Sequence, residues 1–195
     1  MNEGEQEVRA MPVVRVHLLD GYDEAAKRRL GEALTDAVRT VIPADPDAVT
    51  VMIEDVPAAN YMRGRISRQG AAPLPDPCAT VRRYLDAMEA RDLDAARAML
   101  GPRFSMNFPG TGPMTDLAEL VAWSRPRYRH VTKTYEGMDV CPSPGPVTVY
   151  ARGTLSGAWP DGDSFEGVRF IDRFELQDGL ITRQDVWNDI AEVRP

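Results

Sequence analysis

The sequence predicts an α+β chain built as two units on either side of a stiff connector. Three observations carry that expectation. A strand-helix-strand pattern fills the front third. Prolines at alternate positions, Pro73, Pro75 and Pro77, then favour an extended segment and block a helix. Beyond them helix-like stretches come first and four strand-like stretches follow, the order of helices packed on a curved antiparallel sheet. The expected division is a leader at 1–11, a βαβ module at 12–69, a connector at 70–77 and a larger α+β domain at 78–195.

The front module opens at Pro12, which can begin a strand because that end need not donate a ladder hydrogen bond. The apolar run Val13-Val14-Arg15-Val16-His17-Leu18-Leu19 is the strand. Asp23 is placed to cap a helix reaching Val41, with Leu30, Leu34, Val38 and Val41 in one apolar stripe. Pro43 stops it, and Val49 to Ile53 form a second strand, parallel to the first through a right-handed crossover. A hairpin-like tail follows. About sixty residues bury too little surface to be comfortable alone, so the module is expected to associate with copies of itself.

In the second unit, residues 78–90 form a helix with Val81, Tyr84, Leu85 and Met88 on one face. Asp92 caps a short helix through Leu100, and Gly101-Pro102 ends it. A further helix spans 115–124. Strands are expected near 129–140, 146–158, 164–177 and 180–190, with Asp178-Gly179 as a tight hairpin turn between the last two.

Bulk properties narrow the partners. The 195 residues carry a formal net charge of −7, which argues against nucleic acid and anionic membranes. No run approaches the roughly 18 apolar residues of a membrane span, and Met1 to Ala10 lacks the apolar core of a signal peptide. Cys78 and Cys141 show no metal spacing and read as reduced thiols of a cytoplasmic protein. There is no phosphate loop, no nucleophile elbow and no Cys/His metal set. The expected partner is a small molecule, with no cofactor and no metal.

Pro12, the strand-helix-strand order and the segment Asp55-Val56-Pro57-Ala58-Ala59-Asn60-Tyr61 make residues 12–65 resemble the 4-oxalocrotonate tautomerase family. The resemblance implies a proline amine as base, and arginines that hold a carboxylate substrate. An ordinary α-amino group has a pKa of about 7.7–8.0, which apolar walls and nearby cations lower further. An amide nitrogen cannot take the proton, so Pro12 serves only at the start of the mature chain. Initiation at Met11 followed by trimming, or proteolysis of the leader, would put it there. The arginine positions fall on Tyr22 and Thr50, and the aromatic wall on Tyr61. Arg63, Arg65 and Arg68 lie nearby as substitutes or as a solvated face.

In the strand Val168 to Phe174, alternation puts Val168, Phe170, Asp172 and Phe174 on one face. Apolar neighbours favour an uncharged Asp172, able to donate a hydrogen bond to an enolate oxygen. Arg83 to Asp94 together with Phe170-Ile171-Asp172-Arg173-Phe174 make residues 78–190 resemble the SnoaL-like branch of the NTF2-like superfamily, which includes ketosteroid isomerase. The resemblance implies a cone-shaped α+β barrel with an oxyanion hole at Tyr84 and Asp172; the isomerase is itself a standard case of a protonated carboxyl in that role. Tyr84 also reads as a core residue whose hydroxyl reaches a partner, and Asp172 as the mate of Arg169 or Arg152. The position of the isomerase's base falls on Phe108, which cannot accept a proton and is assigned with Phe170 and Trp187 to substrate binding.

Alternation also places Arg183, Asp185, Trp187 and Asp189 on one face of the last strand, so Asp185 or Asp189 is a candidate acid/base. His130 is a possible proton shuttle and His17 reads as structural. Trp123, Trp159 and Trp187 line a cavity or fill the core. The function expected is cofactor-independent proton transfer, an isomerase or cyclase acting on a small, mostly apolar carbonyl compound in polyketide or other secondary metabolism. Epoxide opening by an aspartate pair and non-catalytic ligand binding or assembly are the alternatives. An enzyme requires a second ionisable group beside Asp172 in a pocket.

Overall fold

The computed structural model describes residues 10–193, so most of the expected leader lies outside the described residues. The chain divides into two compact units between Pro73 and Leu74.

In the first unit β1 (Val13–Leu19) and β2 (Thr50–Val56) pair in parallel, with Val16 opposite Ile53. Between them runs α1 (Glu24–Arg39). The Asp23 carboxylate accepts from the Ala26 amide at 2.8 Å, the cap its side chain was suited to make. The helix ends two residues before Val41, which is exposed. Val14, Val16 and Leu18 share a half-buried face with Val51 and Ile53, while Val13, Arg15 and Met52 are exposed on the other. No described side chain of this unit is fully buried. β3 (Met62–Arg63) and β4 (Ile66–Ser67) close a small hairpin. Its turn residues Gly64 and Arg65 both have positive φ, 61° and 66°, as a tight two-residue turn demands.

The second unit contains α2 (Pro77–Glu89), α3 (Leu93–Arg97), β5 (Leu100–Asn107), α4 (Leu117–Ser124), β6 (His130–Cys141), β7 (Val147–Ala158), β8 (Ser164–Gln177) and β9 (Leu180–Asn188). Asp76, Asp92 and Asp116 cap the three helices through backbone amides at 3.1, 3.0 and 2.9 Å. The strands form one five-stranded sheet in the order β5-β9-β8-β7-β6. Tyr84 and Val81 of α2, Leu117 of α4, and Phe174, Val149 and Ile181 of the sheet are fully buried together.

β5 departs from the sequence expectation. Gly101-Pro102 reads as a helix stop and nothing more, yet the chain continues as a strand, parallel to β9. Arg103 adopts φ 63° and the register shifts between Leu100 and Ser105. An edge position tolerates Pro102, and the bulge absorbs the glycine and the left-handed residue.

Candidate functional site

The concave side of the sheet holds a cavity of 430 Å³, within the ~300–1,000 Å³ typical of small-molecule sites. Its walls are mainly apolar. Phe108 and Pro109 enter just past the end of β5, Trp123 comes from α4, and Tyr128 from the turn after it. Val131, Leu155, Phe170 and Val186 come from four adjacent strands, and Trp159 follows β7. The phenyl ring of Phe108 lies 5.6 Å from the indole of Trp123. The charged groups in the wall are Lys133, Asp172 and Arg127.

Asp172 lies on the inner face of β8 with Val168, Phe170 and Phe174, and none of its surface is exposed. Its partner corrects the expectation. Neither Arg169 nor Arg152 reaches it, since these pair with Asp189 and Asp139. The Lys133 ammonium forms an ion pair and hydrogen bond with Asp172 Oδ2. Asp172 is therefore not an isolated carboxyl among apolar neighbours: a cation from β6 faces it across the sheet. Lys133 Nζ also lies 4.3 Å from the centre of the Phe170 ring, an attractive placement for an ammonium. Asp172 Oδ1 has no hydrogen-bond partner among the described residues.

Tyr84 does not line the cavity. It is fully buried between Phe104 and Phe174, and its hydroxyl donates to Gln184 Oε1 at 3.0 Å. Gln184 Nε2 in turn donates to Asp172 Oδ2 at 3.5 Å. The oxyanion pair of the sequence reading is thus a relay with an amide in the middle. Burial, and then the negative charge of Asp172, push the Tyr84 hydroxyl well above the ordinary phenol range. It remains a neutral donor that orients Gln184.

The last-strand candidates lie on the wrong face. β9 turns Gln184, Val186 and Asn188 towards β8's inner side, and Arg183, Asp185 and Trp187 away from it. Asp185 is held by Arg183 Nε at 2.8 Å, Asn107 Nδ2 at 2.8 Å and Arg173 at 3.3 Å. Burial works upward on its carboxyl, but these hydrogen bonds and cations outweigh it and hold it below the usual carboxylate range. Asp189 pairs with Arg169 at 2.6 Å. Trp187 is 54 % exposed beside Ile171 on the outer face, so it does not bind a ligand in the cavity. Their faces follow from the register β9 takes after its bulge near Thr182, which alternation alone does not fix. His130 is exposed at the start of β6, and His17 faces Glu54 at 3.2 Å.

Phe108 and Phe170 do line the cavity. Two residues that sequence reading passed over, Lys133 and Gln184, complete the site. The signal for Lys133 was present: it alternates with Val131 and Tyr135 on β6, a lysine in the inward register of a strand.

In the first unit Pro12 is half-buried ahead of β1, peptide-linked to Met11, and its carbonyl accepts from the Thr50 amide at 3.0 Å. Tyr61 is 38 % exposed, and Arg63, Arg65 and Arg68 are exposed.

Comparison with known proteins falls along the same two units. Residues 12–67 match the family model described as tautomerase enzyme, and residues 81–184 match that of the SnoaL-like domain. The protein named Probable tautomerase from Halalkalibacterium halodurans is 37% identical over 51 residues, 26% of this chain and 84% of that relative. Among solved structures, an NTF2-like protein of unknown function from Burkholderia pseudomallei K96243 superposes with a TM-score of 0.50 at 19% identity, covering 60% of this chain and 92% of its own. An NTF2-like protein from Burkholderia thailandensis E264 does so with a TM-score of 0.50 at 21% identity, covering 63% and 100%. At those identities the likeness establishes the fold.

Proposed function

The chain belongs to the SnoaL-like family through residues 81–184 and to the tautomerase family through residues 12–67, and from that premise we propose that its second unit moves a proton next to the carbonyl of a small, mostly apolar compound. Both families point to an isomerase or cyclase. The observation that carries the reading is the Lys133–Asp172 ion pair in the wall of an otherwise largely apolar cavity.

The chemistry follows from the pair. A ligand carbonyl oxygen takes a hydrogen bond from the Lys133 ammonium. Asp172 removes the proton on the adjacent carbon, and the C–H electron pair moves through the carbon–carbon bond onto that oxygen. The negative charge then rests on the enolate oxygen beside the ammonium, where low polarity makes the attraction strong. Asp172 returns the proton to a different carbon in an isomerisation. In a ring closure the enolate carbon attacks a second carbonyl of the same ligand, and the new alkoxide takes the proton. Gln184, oriented by Tyr84, keeps Asp172 in place. Epoxide opening by two aspartates lacks its second carboxylate, because among the described residues Asp172 is the one acid in the wall.

The test is deuterium uptake from D₂O into the α-carbon of 2-tetralone, followed by NMR. The intact chain accelerates uptake, Asp172→Asn abolishes the acceleration, and Lys133→Met lowers it about 10²- to 10³-fold. Uptake unchanged by both substitutions refutes the proposal. Binding of the ketone with no accelerated uptake favours the second reading, a ligand-binding domain, which Phe108 at the isomerase's base position supports.

The first unit, with no fully buried side chain among the described residues, assembles with copies of itself in this reading. Its Pro12 becomes a base only in a chain whose first residue is Pro12.

A further inference from the structure

Arg127 is the charged group of the cavity wall that the proton-transfer chemistry leaves unused. Its guanidinium carbon lies over the Trp123 indole, 4.1 Å from the ring centre, and no carboxylate pairs with it among the described residues. An aromatic seat holds a guanidinium by cation–π attraction and leaves its N–H edges free, the fork that fits a carboxylate with two parallel hydrogen bonds. Trp123 is itself braced by the tilted ring of Phe108, so the guanidinium rests on a packed aromatic pair. The other cation, Lys133, is already taken by Asp172, and a second carboxylate there would crowd like charges.

We propose that Arg127 binds an acidic group of the ligand, so that the cavity selects flat, apolar carboxylic acids over their neutral counterparts. Trp123 and Phe108 hold the apolar body next to that group. That the ligand also carries a carbonyl rests on the proton-transfer reading; the preference for an acid is read by binding alone and survives if that reading fails.

The experiment measures binding of 2-naphthoate and 2-naphthamide to the full chain by calorimetry. These ligands share a ring system and differ in charge. The intact chain binds the acid at least tenfold more tightly. Arg127→Gln brings the two within twofold, and Arg127→Lys leaves an intermediate preference because charge remains without the fork. Circular dichroism checks that the exposed Arg127 variants fold, and loss of the preference with rising salt supports the same assignment in the unaltered chain. Equal affinity for both ligands, or a preference that survives Arg127→Gln, overturns the proposal.

Discussion

Lys133 and Asp172 set the energetics of the site at the scale of single residues. Asp172 is wholly buried, and Lys133 is its one cationic partner among the described residues. Removing one member of a buried pair leaves an uncompensated charge and costs about 3–5 kcal/mol, whereas removing both is often close to neutral. Lys133→Met is therefore expected to lower stability in urea unfolding by that amount, and Lys133→Met with Asp172→Asn to recover most of it. Equal losses in the single and double variants would contradict the pairing. Asp185 makes a different prediction. Its folded-state carboxyl lies below the usual range, so its contribution is present above the unfolded value of about 3.9 and is lost as pH falls through the lowered folded value. The stability gap between the intact chain and Asp185→Asn should stay constant from pH 7 to about 5 and shrink below that. Residue identities told part of this in advance. Asp172 among apolar alternates marked a buried carboxyl, but its partner lies on another strand, beyond the reach of local pattern.

Strand geometry decides which of these residues meet. The antiparallel pairing of β6 with β7 shifts register between Tyr135 and Gly137. There a Cβ added at Gly153 would lie 1.9 Å from the Thr134 carbonyl oxygen. Backbone cannot yield as a side-chain tip can, so Gly153→Ala is expected to cost about 1–3 kcal/mol through forced displacement of β6, the strand that carries Lys133. Denaturation together with ketone binding checks it, and an unchanged stability would contradict it. The long strands and capped helices were legible because periodicity and Asp caps are local signals. β5 was hidden because its glycine, proline and left-handed arginine are turn signals that a bulged edge strand also accommodates. The face of Asp185 and Trp187 was hidden for a related reason: a single extra residue near Thr182 resets which side of β9 looks inward.

Across the whole molecule, two families meet in one chain, and the break at the proline run was visible as a change of pattern. The first unit has no fully buried side chain among the described residues, and Val13, Met52 and Ile66 are exposed, which predicts that the chain sediments as more than one copy; a monomer at micromolar concentration would contradict that. A chain beginning at Pro12 should gain enol-to-keto conversion of an α-keto acid over one beginning at Met1. With Tyr22 and Thr50 where arginines would clamp the carboxylate, the gain is expected to be small.

The central claim is that an enolate oxygen rests against Lys133 while Asp172 carries the proton. A crystal structure of the chain with 2-naphthol, a planar mimic of the enolate, tests it most directly. The account predicts the naphthol oxygen about 2.7–3.1 Å from Lys133 Nζ, inside the Phe108–Phe170 cavity. Naphthol bound away from Lys133, or a cavity left empty with the ligand elsewhere, would contradict it.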